Sequence, residues 1–436
     1  MVKMNRQTLY IMLFIRNNKL SCAKITKNTH LFRGIGKFKI KKKMKKIFLK
    51  PGKETPVKRF HPWVFSGAIE RYEAGITSGD WVMVCDSREN ALAFGHYQEG
   101  SIRIRLLHFS TSPPDANFYV NKFKNALKLR QGVNLNKNGQ TNSFRLINGE
   151  GDGLSGLIID IYGETAVVQC HSTGIYKDKQ QIIKAFEALD GLTIRNIYDK
   201  SEETLYKNEG IQEKNDYWKG GLSGTGNILE NGHIFNIDWE KGQKTGFFLD
   251  QRENRFLLGQ LAADKEVLNC YCYTGGFSIY AIKGGAASVE SVDSSALAIE
   301  QYKENLQSNG LDAEKHVSTV SDVPTFLRQQ TKSYDIIVVD PPAFAKSMDK
   351  RHNAIQAYIR LNALAMKQLK PGGILFTFSC SQVVDRNLFQ NALLSASIEA
   401  GRKTSILYHL SQGPDHPSSI FHPESGYLKG LVLYVE

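Results

Sequence analysis

The second half of the chain carries the tightest constraint on fold. From Gly242 onward seven apolar runs recur, "EVLNCY" (266–271), "VESVD" (289–293), "HVSTVSD" (316–322), "YDIIVVD" (334–340), "GGILFTFSC" (372–380), "SILYHL" (405–410) and "YLKGLVLYV" (427–435). Helical patterns such as "SALAIEQYKENLQSNG" and "AIQAYIRLNALAMKQL" fill the intervals up to the fifth run. Strands joined through helices form right-handed crossovers, so this alternation predicts a parallel, doubly wound α/β sheet with ligands at the carboxyl ends of its strands. The punctuation agrees: Gly310 follows "NLQSN", and Pro371-Gly372-Gly373 stops a helix before the fifth strand.

A chain of 436 residues exceeds one ordinary core. Residues 44–113 carry the short strand-like runs "IFLKPG", "WVMVCD", "ALAFGHY" and "SIRIRLL", the pattern of a small β-barrel. "STSPPDA" (Ser110–Ala116) reads as an extended linker. Residues 117–238 mix helix and strand as an α+β domain, and 239–436 hold the doubly wound sheet. The glycine-rich "NGEGDGLSG" (Asn148–Gly156) lacks the Lys and Ser/Thr of a phosphate cradle and leads into a strand, so it reads as a turn.

The net charge of +13 suggests nucleic acid until it is located. Residues 1–50 hold 15 Lys/Arg and no acid, leaving 41 basic against 43 acidic residues for the remainder. RNA binding must therefore come from local patches and shape. The basic segment 1–43 is open to three readings, a transit peptide, an RNA-binding arm or a misread start ahead of "MKKIFLKPGKE", with the last preferred. No segment is long and apolar enough to span a bilayer, which predicts a cytoplasmic protein without membrane contact. Cys22, Cys85, Cys170, Cys270, Cys272 and Cys380 form no CxxC pair and no zinc spacing, so free thiols and no metal are expected.

The first strand of the doubly wound sheet runs into "CYTGGF" (Cys272–Phe277) and a helix, where two glycines let the backbone approach a ligand. Seventeen residues past Gly276, Asp293 ends the second strand and can accept from ribose hydroxyls. The GxGxxG of a dinucleotide site is absent, which favours an adenosine ligand without pyrophosphate, S-adenosylmethionine, over NAD. Asp322, ending the third strand, is a candidate for the adenine amino group, with a helix N-cap as its ordinary role. Tyr271, Thr274, Gly275, Gly276 and Ser294 complete this wall. Upstream, "QKTGFFLDQREN" (Gln243–Asn254) offers Phe247 as a wall, Asp250 as a polar contact and Arg252 for a cofactor carboxylate.

"VVDPPAF" (Val338–Phe344) closes the fourth strand beside the fifth, about 5 Å away, so Asp340 and Cys380 emerge on one edge. A thiolate there suits pyrimidine methylation: adding it to C6 of cytosine makes C5 enamine-like, and loss of the C5 proton later expels the thiol. That requires a lowered thiol pKa. Asp340 is placed to hold the N3 edge as well as to line the cofactor site, Pro341 and Pro342 to stiffen the loop, and Phe344 to stack on a base. A buried structural thiol is the competing reading for Cys380; Cys270 and Cys272 are assigned to packing.

From Met44 onward the chain resembles the ribosomal RNA large subunit methyltransferase I family, bacterial 23S ribosomal RNA cytosine-5 methyltransferases. The resemblance rests on "KTGFFLDQREN", "LNCYCYTGGFS", "VDSS", "VVDPPAFAKS", "FSCS" and "DHPSSIFHPESGYLKGL". It implies an N-terminal PUA domain that binds RNA, a central α/β domain, a Rossmann-like seven-stranded methyltransferase domain, S-adenosyl-L-methionine as donor and Cys380 as nucleophile. The barrel, with "FHPWVFSGAIE", would be the PUA domain. A homodimer is a further expectation. Other cytosine-5 RNA methyltransferases carry a second cysteine in the Asp-Pro loop, where this chain has Pro342 and Ala343; the C5 proton acceptor is left unidentified, with Asp415 and His416 in "GPDHP" as candidates. Three alternatives stay open: a guanine or exocyclic-amine methyltransferase, which needs no thiol; an NAD-dependent oxidoreductase; and a non-catalytic RNA-binding factor.

Overall fold

The computed structural model describes residues 44–436, except 136–138, 206–213, 222–223 and 314–315. The basic segment 1–43 and the readings made of it lie outside the described residues. The first sheet contains β1 (Lys45–Leu49), β2 (Trp63–Phe65), β3 (Ile69–Tyr72), β4 (Trp81–Cys85), β5 (Ala91–Tyr97) and β6 (Ile102–His108), in the order β2-β6-β5-β4-β1-β3. Alternation dictates its core: Val82 and Val84 of β4 turn inward with Ile47, Ala93 and Ile104.

In the central domain β7 (Ser143–Asn148), β8 (Leu157–Tyr162), β9 (Thr165–Cys170), β10 (Asn196–Asp199) and β11 (Asp216–Lys219) form a sheet ordered β11-β10-β9-β8-β7. Helices over Phe118–Gly132 and Lys179–Glu187 bury Phe123, Ile182 and Phe186 in the same core as Ile159 and Val168 of the sheet. "NGEGDGLSG" is indeed a turn, with a short 3-10 helix over Gly149–Asp152. The hairpin β12 (Thr225–Glu230) and β13 (His233–Asp238) follows. It packs on the helices of the C-terminal domain: the N–H groups of Ile234 and Asn236 donate to Asn309 and Asn305, and Phe235 joins the cluster of Tyr280 and Tyr302. The boundary expected after residue 238 thus separates a hairpin from the helices it packs on.

The last sheet has seven strands, β14 (Glu266–Cys270), β15 (Ser288–Asp293), β16 (Val317–Val320), β17 (Tyr334–Val339), β18 (Leu369–Ser379), β19 (Thr404–Leu410) and β20 (Lys429–Val435). Their order is β16-β15-β14-β17-β18-β20-β19, the first five parallel and β20 antiparallel between β18 and β19. The order reverses at β14, and that switch point opens a crevice at the strand ends. In one detail the sequence reading is corrected: Pro371-Gly372-Gly373 lies inside β18, not before it, where the register against β17 shifts between Tyr334 and Ile336. A proline is tolerated at such an irregularity because no regular ladder bond is lost. Among the described residues no helix is long and apolar enough to cross a membrane.

Candidate active site

Where β14 meets the next helix the backbone is forced into unusual conformations. Tyr271 and Tyr273 have φ of 59° and 48°, and Gly275 has φ of 81°. A Cβ on Gly275 would lie 1.9 Å from Cδ2 of Tyr302, so only glycine closes this turn. Asp293 fixes the turn from the end of β15: Oδ2 accepts from the Tyr273 N–H and Oδ1 from the Ser295 N–H, each at 2.9 Å. Thr274 is buried with its Oγ1 unpartnered, Ser294 is exposed, and Tyr271 is half-buried. Asp322 takes its ordinary role, capping the helix Val323–Gln329 by accepting from the Thr325 N–H at 3.0 Å; its carboxylate stays exposed at the crevice rim.

The segment 243–254 departs further from expectation. Arg252 does not face the crevice. It is 1% exposed and donates to Asp415 Oδ2 at 2.8 Å and the Ser143 carbonyl at 3.1 Å, with Glu230 at 3.5 Å. A guanidinium with two internal carboxylates has no charge left for a cofactor carboxylate. Phe247 is also internal, 4.8 Å ring to ring from Phe235 and under the Arg255 guanidinium, so it supports the glycine turn from below. Phe248, half-buried and edge-on to Tyr273 at 5.3 Å, is the aromatic nearer the crevice. Asp250 accepts from the Tyr427 hydroxyl through Oδ2 and keeps Oδ1 unpartnered.

Two buried polar atoms near the strand ends, Thr274 Oγ1 and Asp250 Oδ1, have no hydrogen-bond partner, as expected where a ligand supplies one. Asp293 retains lone pairs for ribose hydroxyls. Asp250, Tyr271, Thr274, Gly275, Gly276 and Asp293 carry polar and backbone groups of the kind that would hold S-adenosylmethionine.

Asp340 and Cys380 come together as expected. Val339 is in register with Thr377, so the two side chains leave adjacent strand ends. Asp340 accepts from Gln251 Nε2 at 2.9 Å, and Gln251 in turn accepts from Asn254 at 2.6 Å. Burial, reinforced by the neighbouring Asp250, lifts the Asp340 carboxyl to about 7. Cys380 is partly exposed, and its thiol is pushed up to about 11 by burial and then by Asp340 and Asp250. The lowered thiol that the thiolate route requires is thus not a property of the free protein, where Cys380 is protonated. Phe344 packs 4.7 Å from the Tyr358 ring, Pro341 is buried and Pro342 exposed.

One residue went unassigned in the sequence. Lys429 pairs directly with Ser379 across β18 and β20, which sets its ammonium beside Cys380. Its Nζ donates to the carbonyls of Ser381 and Tyr427 at 2.7 and 2.8 Å, and burial depresses it to about 8. Asp415 and His416, the earlier candidates for proton acceptance, are excluded by burial and pairing. The Arg252 and His416 charges hold the Asp415 carboxyl far below its ordinary value despite burial, and His416 Nδ1 is 3.1 Å from Asp415 Oδ1. Cys270 and Cys272 are buried, as assigned.

A family model for S-adenosylmethionine-dependent methyltransferases matches residues 201–431, and one for PUA-like domains matches 47–109. Ribosomal RNA large subunit methyltransferase I of Pseudoalteromonas atlantica is 39% identical over 395 residues, covering 89% of this chain and 99% of that protein. The protein of the same name from Shewanella denitrificans is 39% identical over 399 residues, with 89% and 99% covered. Among solved structures, a protein from Streptococcus mutans described as a SAM-dependent methyltransferase superposes with a TM-score of 0.76 at 23% identity, over 90% of this chain and 100% of that one. A methyltransferase fold solved with S-adenosylhomocysteine gives 0.77 at 24% identity over the same 90% and 100%. At such identities the two structures speak for the fold alone.

Proposed function

The chain belongs to the ribosomal RNA large subunit methyltransferase I family of S-adenosylmethionine-dependent methyltransferases, and from that premise we propose that it methylates C5 of a cytosine in large-subunit ribosomal RNA through a covalent adduct with Cys380. The observation that carries the proposal is the grouping of Cys380, Asp340 and Lys429 on three adjacent strand ends. When bound, S-adenosylmethionine supplies an electrophilic methyl for the activated C5.

The protein's groups divide the proton traffic. Lys429, lowered to about 8 by burial and held by the Ser381 and Tyr427 carbonyls, takes the Cys380 proton through its neutral form, the minor species near neutral pH. The thiolate adds to C6, the C5–C6 π electrons move toward the N3 side, and Asp340, protonated near neutral pH, donates to N3. Loss of that proton leaves Asp340 a carboxylate, a charge that disfavours a thiolate beside it, so the transfer to N3 follows thiolate addition to C6. After C5 is methylated its proton passes to the Asp340 carboxylate, the thiolate leaves as the double bond returns and regains its proton from Lys429, and N3 releases its proton to solvent. The PUA-like domain supplies RNA affinity through shape, since the described chain has no net basic excess.

Transfer to an exocyclic nitrogen is the second reading, favoured by the protonated state of Cys380. Nucleoside mass spectrometry on unmodified 23S RNA, with methyl-deuterated S-adenosylmethionine, separates the two. Label in 5-methylcytidine that vanishes in Cys380→Ser supports the thiol route; label in a methylated purine, undiminished in Cys380→Ser, refutes it.

A further inference from the structure

The loop between β19 and β20, residues 411–428, is held against two other domains. The Asn148 amide donates to the Pro417 carbonyl at 3.0 Å, and Arg130 donates to the Asp415 carbonyl at 2.7 Å. Gly151 meets Pro417 so closely that a Cβ there would lie 1.8 Å from its carbonyl oxygen. Past this anchor the loop reaches the PUA-like domain, where His422 lies 5.5 Å ring to ring from His61 and 4.3 Å from Trp63.

His422 is the anomaly. It is 2% exposed, yet neither Nδ1 nor Nε2 has a hydrogen-bond partner. A buried imidazole must place at least one N–H, so leaving both nitrogens bare is unfavourable. Its polar neighbours are already engaged or lie too far. Glu150 accepts from Trp63 Nε1 at 3.0 Å and from the Ser155 hydroxyl at 2.7 Å. Glu424 Oε2 stands 3.8 Å from His422 Nε2, beyond hydrogen-bond reach. His61 Nδ1 lies 3.1 Å from the Trp63 carbonyl and 3.2 Å from the Trp63 N–H; in the tautomer that donates to the carbonyl, Nε2 keeps its lone pair.

We propose that His61, His422 and Glu424 form a site for a divalent transition-metal ion of the zinc class, which ties the PUA-like domain to the loop leading into Lys429. One ligand atom from each residue lies within 4.8 Å of the others. A tetrahedron on bonds of about 2.1 Å has edges of roughly 3.4 Å, so the atoms need to draw in by about an ångström. Glu424, exposed and on the loop, has the freedom to do so. Two imidazoles and a carboxylate select zinc-like ions over calcium or magnesium, which take oxygen ligands. The Trp63 carbonyl holding Nδ1 of His61 is the outer contact that metal-binding histidines ordinarily make. Glu150 adds a second negative charge nearby, its Oε1 accepting from Trp63 Nε1 at 3.0 Å. The spacing of His61 from the other two in the sequence hides the site from any motif.

The test uses the full chain, stripped with a chelator, desalted and titrated with Zn²⁺, with retained metal read by elemental mass spectrometry. About one zinc per chain is expected, with affinity weakened by at least about a hundredfold in both His422→Phe and Glu424→Gln, and unchanged in Cys380→Ser. Phenylalanine preserves the buried ring, and Glu424 is exposed, so at least one variant reports on a folded protein. Absence of retained zinc, unchanged affinity in Glu424→Gln, or loss of zinc in Cys380→Ser would overturn the assignment.

Discussion

A thiol held near 11 is unreactive until something lowers it, and that can be measured before any substrate is identified. Against an ordinary cysteine value of 9.0 the Cys380 thiol stands about two units higher, so at fixed neutral pH its thiolate fraction is lower by about a hundredfold. A more basic thiolate is a better nucleophile, with a sensitivity of about 0.4–0.5 per unit, which returns about tenfold. Alkylation of Cys380 by iodoacetamide at pH 7.5 should therefore run on the order of tenfold slower than a model thiol. It should rise about tenfold per pH unit up to pH 10. Asp340→Asn, which deletes a charge that raises the thiol, should speed alkylation; Lys429→Met, which deletes the one that lowers it, should slow it. Peptide-resolved mass spectrometry distinguishes Cys380 from Cys22 and from the buried thiols Cys85, Cys170, Cys270 and Cys272. A Cys380 that alkylates at neutral pH as fast as a free thiol would refute the account of its electrostatics. So would an Asp340→Asn variant that reacts more slowly.

The buried pair of Arg252 and Asp415 predicts a large stability effect. Asp415→Ala removes the nearer of the two carboxylates of a guanidinium that is 1% exposed, leaving Glu230 at 3.5 Å, at a cost of about 3 kcal/mol, and thermal unfolding should fall by on the order of 5–10 °C; a change under about 2 °C would deny the pair its role. Because the Asp415 carboxyl is depressed from its ordinary 3.8, its contribution is complete above that value and lost as pH falls toward the folded value, which urea titrations from pH 7 to 3 would follow. Gly275→Ala should abolish S-adenosylmethionine binding by calorimetry, since its Cβ collides with Tyr302 and its φ is positive; retained affinity would mean the turn is not the cofactor's cradle.

Why some of this was readable in the sequence and some was not follows from distance along the chain. The seven strands announce themselves through local β-branched runs, and Asp340 and Cys380 sit at the ends of two neighbouring ones, so their meeting needs only the rule that consecutive βα units lie side by side. Lys429 required knowing that β20 inserts antiparallel beside β18, which no local pattern encodes. Arg252 resembled a ligand-binding arginine because its partners, Glu230 and Asp415, lie far away in sequence on either side. Phe247 and Phe248 are adjacent, and only packing decides that the first faces inward. His61 and His422 come from opposite ends of the described chain, and neither carries a ligand spacing of its own.

The most direct measurement of the central claim is covalent trapping. Large-subunit RNA transcribed with 5-fluorocytidine offers a C5 with no proton to lose, so once methylated the Cys380 adduct has no route to elimination. Incubated with the full chain and S-adenosylmethionine, it should yield a denaturant-resistant RNA–protein complex whose crosslinked peptide contains Cys380, and Cys380→Ser should form none. Methylation of ordinary RNA at a cytosine with no such complex, or a complex through another residue, would contradict it.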